Sequence, residues 1–437
     1  MDSEKSITNV KGELGTDLFK IIRNFFPDML PLLRQTNDWR NKSYITYPHE
    51  YLLMEGVFMY LMRIKSRKDI KPCLDNDKSE YYIIENLNKL FGTTLKSVGH
   101  GDTINKFLLK FDSAEICDIP VQLTNRLIRK RCFEKLRFLD KYYLVAIDGT
   151  GTASFKESAS EKELLKVKDG KCNFFQYVVD SKMVFKNGFI SPMGSEFIEN
   201  SEKEFDKQDC EQNGTKRLMK KIKNDFRCLK ICVLLDGLSA NEPIITNCEE
   251  YKWKYFITLR SGSLKTVHSD YEGLISLKPE NYKKNGEQDI YWMNDMDYRG
   301  HKISILKCIE PDKKNPSKKN IFMYITNFTI TSDNVVELLN DGARLRWKIE
   351  NENFNFEKND LNFKHLYSRD YEVIKSLFYL MQIAHLIFLV FIYGFYVSKK
   401  KVRKIFGSLR RFAEKILLSL IARPVSDFNV RIRLSLV

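Results

Sequence analysis

Between Ser376 and Val397 the chain carries an almost unbroken apolar run, with Leu377-Phe378-Tyr379-Leu380 near its start and Leu386-Ile387-Phe388-Leu389-Val390-Phe391 farther along. About 20 residues of helix span a bilayer, and Lys375 and Lys399 flank the run as they would flank a span. Yet Gln382 and His385 interrupt its middle, where a polar group in lipid is costly, and the run follows a charged helix without a loop. The pattern therefore predicts a helix that is apolar all round and buried all round inside a large core. No membrane partner is expected.

With 437 residues there is room for one large or two to three ordinary domains, and the 43% hydrophobic content argues that most of the chain folds. The 72 Lys and Arg outnumber 57 acidic residues, a formal net charge of +15 that points to a polyanionic partner, nucleic acid first. A general lysine bias would give the same count. Nine cysteines show no C-x-x-C pair and no His spacing of a zinc site, so they read as buried small hydrophobes in a reducing cytosol. Met1 to Gly15 is polar and unlike a signal peptide, and a cytoplasmic location is expected.

Along the chain, residues 1–138 look helical. Pro48 to Arg63 is apolar on most faces and reads as a central helix. Asp102, after the turn Gly99-His100-Gly101, is a natural N-cap, with Ile104, Phe107 and Leu108 falling on one face. Val121 to Arg137 predicts a helix whose face Arg126, Arg129, Lys130 suits phosphates or plain solvent equally.

From 139 to 262 strands dominate. Phe174 to Val179 and Met183 to Phe185 predict a hairpin turning at Asp180-Ser181-Lys182, with Gly188 to Ser191 as a third strand and a helix at Gln212 to Phe226. Residues 263–330 alternate polar and apolar and read as a β-rich insertion. Residues 331–398 are helical again, and 399–437 form a basic C-terminal tail with Lys399-Lys400-Lys401 and Arg410-Arg411. Strands first antiparallel and then alternating with helices make a mixed α/β sheet.

Two apolar runs end in an acid followed by glycine: Tyr142 to Ile147 before Asp148-Gly149, and Ile231 to Leu235 before Asp236-Gly237. Such runs are buried strands. A third acid, Glu350, stands among helix formers, with Arg346 one turn earlier on nearly the same face and position 357 returning to that face. Glu352 should point elsewhere. Two strand-end aspartates facing a helix-borne glutamate suit a pair of Mg²⁺ ions, with Mn²⁺ as a substitute, because hard cations take oxygen ligands and keep positions open for a phosphate. The bland alternatives are Asp-Gly turns and an ordinary intrahelical Arg-Glu pair.

The strings Ala146-Ile147-Asp148-Gly149-Thr150-Gly151, Leu234-Leu235-Asp236-Gly237-Leu238-Ser239-Ala240-Asn241-Glu242-Pro243 and Arg344-Leu345-Arg346-Trp347-Lys348-Ile349-Glu350-Asn351-Glu352 resemble the DDE transposases of bacterial insertion sequences, specifically the insertion-sequence-four type with its Tyr-Arg-Glu-Lys signature. Weaker similarity runs through Gly101 to Asn105 and Ser201 to Leu218, notably Lys207-Gln208-Asp209-Cys210, so the resemblance covers about residues 45 to 395. It implies a ribonuclease H-like, retroviral-integrase-type core with a β-rich insertion and a helical DNA-binding N-terminal region. Asp148, Asp236 and Glu350 become the catalytic and metal-binding triad, and Arg346 the signature arginine. The implied activity is metal-dependent cleavage and strand transfer at element ends, on double-stranded DNA, with at least two copies in the DNA complex. Two signature slots depart: Ala343 holds the tyrosine slot, and Glu357 holds the lysine slot, with Lys358 one place late. The rival expectation is a relic that binds DNA without chemistry.

Overall fold

A computed structural model describes residues 13–66, 69, 77–168, 170–200, 209–260, 262–432 and 436. Lys207 and Gln208 of the resemblance, and Cys73, lie outside these.

Among the described residues six α-helices come first: α1 (Leu14–Phe25), α2 (Met29–Arg34), α3 (His49–Leu61), α4 (Asp77–Phe91), α5 (Gly101–Leu108) and α6 (Ile119–Arg129). In α3 every residue after His49 is buried, as its apolar composition on most faces requires. α5 is capped by His100, whose Nδ1 accepts from the Asp102 amide at 3.1 Å, and not by Asp102 itself. α6 stops at Arg129 instead of continuing to Arg137, because Arg131 takes a left-handed conformation at φ 58° that no α-helix holds.

The centre is one ten-stranded mixed sheet. β1 (Tyr143–Phe155), β2 (Leu164–Lys168), β3 (Lys171–Val184) and β4 (Ile190–Ile198) are mutually antiparallel where they pair. The chain then crosses through α7 (Glu211–Asp225) to β5 (Ile231–Leu235), and through α8 (Glu242–Glu250) to β6 (Lys254–Thr258). β5 lies parallel to β1 and β6 parallel to β5. β5 is apolar and wholly buried, as a strand covered on both faces must be.

The segment read as a β-rich insertion is a helix, α9 (Lys265–Ile275), followed by β7 (Tyr282–Asn285), β8 (Gln288–Tyr298), β9 (His301–Pro311) and β10 (Lys319–Thr326). Its last strand bonds to β6, so these strands continue the central sheet in the order β6-β10-β9-β8-β7.

The expected hairpin at Asp180-Ser181-Lys182 is absent, and β3 runs straight through it. Residues two apart on a strand share a face, and here the Asp180 and Lys182 side chains pair at 2.9 Å with 0% and 1% exposure. A partnered buried pair removes the reason to turn outward.

The apolar run forms α10 (Tyr371–Tyr396), started by Asp370, whose carboxylate accepts from the Val373 amide. Of its most apolar stretch, 94% is buried inside the fold. α1, α3, α5 and α6 pack along it, and edge-on ring pairs join it to β4 through Phe197 on Phe378 and, just before β4, through Phe189 on Tyr393, both at 5.4 Å. Its polar interruptions have buried partners: Lys182 donates to Gln382, and His385 Nδ1 stands 2.9 Å from Glu357.

The basic tail is largely helical, as α11 (Lys399–Phe406) and α12 (Leu409–Ala422). α12 packs back on α1 and α4. Of the cysteines, 232, 248 and 308 are buried as expected, whereas 172, 210 and 228 are exposed.

Candidate active site

Asp148 does not end its strand. β1 continues to Phe155 against β3, but its pairing with β5 stops at Ala146–Leu234. Asp148 and Asp236 each follow two residues beyond that last matched pair, so they are neighbours at the edge where the parallel ladder opens. Asp236 Oδ1 caps a short turn by accepting from the Leu238 amide at 2.9 Å, and Asp148 Oδ1 accepts from the Gly149 amide at 3.0 Å.

The third acid arrives on an irregular helix, 335–359, whose pitch changes several times, a short α turn at Val335–Glu337 giving way to a π-helical stretch at Leu338–Gly342. Ala343–Arg346 is tightly wound, Ile349–Phe354 is π-helical, and Asn355–Asn359 is α-helical. Arg346, only 8% exposed, bridges two acids: Nη1 lies 2.9 Å from Asp148 Oδ2 and Nη2 lies 3.0 Å from Glu350 Oε1. Arg260, just past β6, places Nη2 2.8 Å from Asp236 Oδ2. Arg346 thus ties Asp148 to Glu350, while Arg260 pairs with Asp236 alone. Among the described residues no group of three His, Cys, Asp or Glu side chains stands ready-made to hold a metal ion.

Electrostatics link the acids. Burial pushes the Asp148 carboxyl up to about 6; Arg346 and the Gly149 amide oppose that, and the charges of Asp236 and Glu350 add to it. Asp148 therefore sits in the field of two further carboxylates, and the donors that the three side chains offer are all oxygens.

The glycine after each acid has a steric reason. A side chain at Gly149 would begin 2.3 Å from the Tyr177 hydroxyl, and one at Gly237 would begin 2.7 Å from Arg260 Cγ. Tyr177 in turn donates to Glu211 at 2.8 Å. Burial raises the carboxyl of Glu211, as does the charge of Asp236, which places this second pair in the same field. Tyr177, Glu211 and Arg260 escaped the sequence reading. The usable signal was positional for Arg260, which follows the strand beside β5 at the same end of the parallel ladder.

The π segment changes which residue faces the site. On a straight α-helix position 357 would return to the face of Glu350, but a π turn absorbs an extra residue. Lys358 therefore reaches β1, with Nζ 2.6 Å from Thr150 Oγ1, while Glu357 turns inward to His385. Glu352 points elsewhere, as expected, and pairs with Lys399 at 2.7 Å. Ala343 is buried. Beside Lys358 a cleft of about 640 Å³ opens along β1, lined by Thr152, Lys166, Asn173, Tyr177, Lys358 and Lys364.

Arg126, Arg129 and Lys130 belong to another part of the molecule, on and just after α6. Arg126 lies 3.4 Å from Asp28, Lys130 stands over the Phe25 ring at 5.6 Å, and Arg129 is exposed. Arg126 and Lys130 thus contact the helical layer and not the acids.

No protein-family model matches the chain, and no curated protein matches it. Among solved structures it is similar to piggyBac transposase in a synaptic complex with hairpin DNA, at 11% identity and a TM-score of 0.43, over 92% of this chain and 80% of that one.

Proposed function

We propose that this chain is a DDE-type DNA transposase of the insertion-sequence-four kind, cleaving and joining phosphodiesters at the ends of its element. The observation that carries the reading is the approach of Asp148, Asp236 and Glu350 from two adjacent parallel strands and a helix, in the same order as the three matching strings. Antiparallel β1, β3 and β4 followed by parallel β5 and β6 support a ribonuclease H-like core.

Asp148, Asp236 and Glu350 would hold the divalent cations. Bound Mg²⁺ supplies Lewis-acid activation of water, and then of a 3′ hydroxyl, against a phosphodiester. The chain itself supplies position and charge. β1 and β5 fix two acids to a rigid sheet, Arg346 offers a bidentate grip on a phosphate, and Lys358 with Lys166 and Lys364 gives the neighbouring cleft a basic lining. Arg126, Arg129 and Lys130 are proposed to hold DNA by phosphate contacts away from the chemistry.

The test is Mg²⁺-dependent nicking of duplexes carrying the DNA that flanks the gene. Asp148→Asn, Asp236→Asn and Glu350→Gln should each abolish nicking and leave duplex binding nearly intact. Neutralising Arg129 and Lys130 should weaken binding and flatten its salt dependence. Full nicking by Glu350→Gln overturns the triad. Duplex binding without nicking by the unmodified chain favours the relic.

A further inference from the structure

Every carboxylate of the triad is paired with a guanidinium. Arg346 spans Asp148 Oδ2 and Glu350 Oε1, and Arg260 takes Asp236 Oδ2. The backbone amides of Gly149 and Leu238 occupy Oδ1 of each aspartate. A cation shared between Asp148 and Glu350 needs oxygen lone pairs that Arg346 now uses. We infer that Arg346 and Arg260 compete with a divalent cation for the triad: the carboxylate oxygens they hold are ones the cation would need, so its binding requires these guanidiniums to move aside. The inference rests on the function proposed above, because it assumes that the triad is the metal site.

Three features support displacement over a fixed scaffold role. The Arg346 contacts use one nitrogen for each acid, so each is a single charge-assisted hydrogen bond and neither is a two-bond fork. Arg346 has somewhere to remain, since its guanidinium carbon already lies 4.7 Å from the centre of the Trp347 ring, and Trp347 is 46% exposed. Arg260 is 59% exposed and can turn into solvent at little cost. Removing either arginine would leave mutually repelling acids with no cation, and so a stronger site for one. A scaffold arginine would behave in the opposite way, since its loss would loosen the acids and weaken metal binding.

The experiment measures Mn²⁺ affinity without DNA, from the free-ion electron-spin resonance signal, on the full chain and on Arg346→Ala, Arg260→Ala and Asp148→Asn. Arg346→Ala should bind at least about tenfold tighter than the unmodified chain, the scale of one charge-assisted hydrogen bond. Arg260→Ala should tighten binding by a smaller factor, and because that side chain is largely exposed this variant keeps the test open should Arg346→Ala fail to fold. A second readout uses Mg²⁺: release of Arg346 should change tryptophan emission in the unmodified chain, and the change should vanish in Trp347→Phe. Mn²⁺ binding that is lost in Asp148→Asn but no tighter in either arginine variant overturns the competition and leaves the proposed function standing. Mn²⁺ binding that ignores Asp148→Asn overturns the metal site itself, and the inference with it.

Discussion

Replacing Lys182 with methionine should be among the most damaging single changes in the sheet. Lys182 and Asp180 share a face of β3 at 1% and 0% exposure, 2.9 Å apart, and Lys182 also donates to Gln382 of α10. Removing one partner of a buried ion pair costs ~3–5 kcal/mol because the other charge stays in a poor solvent. Asp180 keeps three donors, namely Ser195 Oγ at 2.8 Å, Asn353 Nδ2 at 2.9 Å and its neighbour's amide at 3.0 Å, so the low end, about 3 kcal/mol, is expected. The loss should shrink as the pH is lowered, since a protonated Asp180 no longer needs a cation. Lys182→Met combined with Asp180→Asn should recover most of it. Urea unfolding of the unmodified chain, Lys182→Met, Asp180→Asn and the double variant at pH 8 and pH 5 measures this. A Lys182→Met protein as stable as the unmodified chain, or a double variant no better than the single, would refute the reasoning.

Gln382→Leu makes α10 more apolar yet should destabilise the protein by about 1–3 kcal/mol in urea, because buried Lys182 loses an acceptor; stabilisation would contradict the packing described. Glu357 sits fully buried, and burial pushes its carboxyl from the ordinary 4.5 up to about 7, against the pull of Lys182 and its other neighbours. Between those values the folded state binds more protons than the unfolded one, so stability should fall by on the order of 3 kcal/mol as pH rises from about 4.5 to about 7. Thermal melts of Glu357→Gln should decline clearly less across that window than those of the unmodified chain, the remainder coming from other raised carboxyls such as Asp148. Gly149→Ala should swing Tyr177 away and break its bond to Glu211, costing about 1 kcal/mol in stability; an unchanged Tyr177 position in a crystal structure of the variant would count against the steric account.

The sequence was most legible where composition left one solution. Gln382 and His385 in the middle of an apolar helix forced it into a protein core, and the buried partners Lys182 and Glu357 are the reason it is stable there. The runs before Asp148 and Asp236 were legible as strands for the same reason. Legibility failed where a distant partner overrode local chemistry. Asp180-Ser181-Lys182 has turn composition, but Asn353, Gln382 and Ser195 satisfy it in an extended conformation. The face of the helix beyond Glu350 was misjudged because a uniform 100° per residue does not hold through a π turn. Arg260 and Tyr177 reach the acids through sheet register, which a single sequence does not display.

The packing of α10 against the first helices also sets an order of events during synthesis. α3 is buried on every face, chiefly along α10, yet α10 begins at Tyr371, roughly 300 residues later. At about 5–20 residues per second, α3 leaves the ribosome roughly 15 to 60 s before its partner exists. α1 and α4 wait longer still, for α12. Nascent chains of this protein therefore carry apolar amino-terminal helices without their partners through most of translation, and holding chaperones, a lower growth temperature or a solubilising fusion partner should raise the yield of folded chains far more than any change to the sheet.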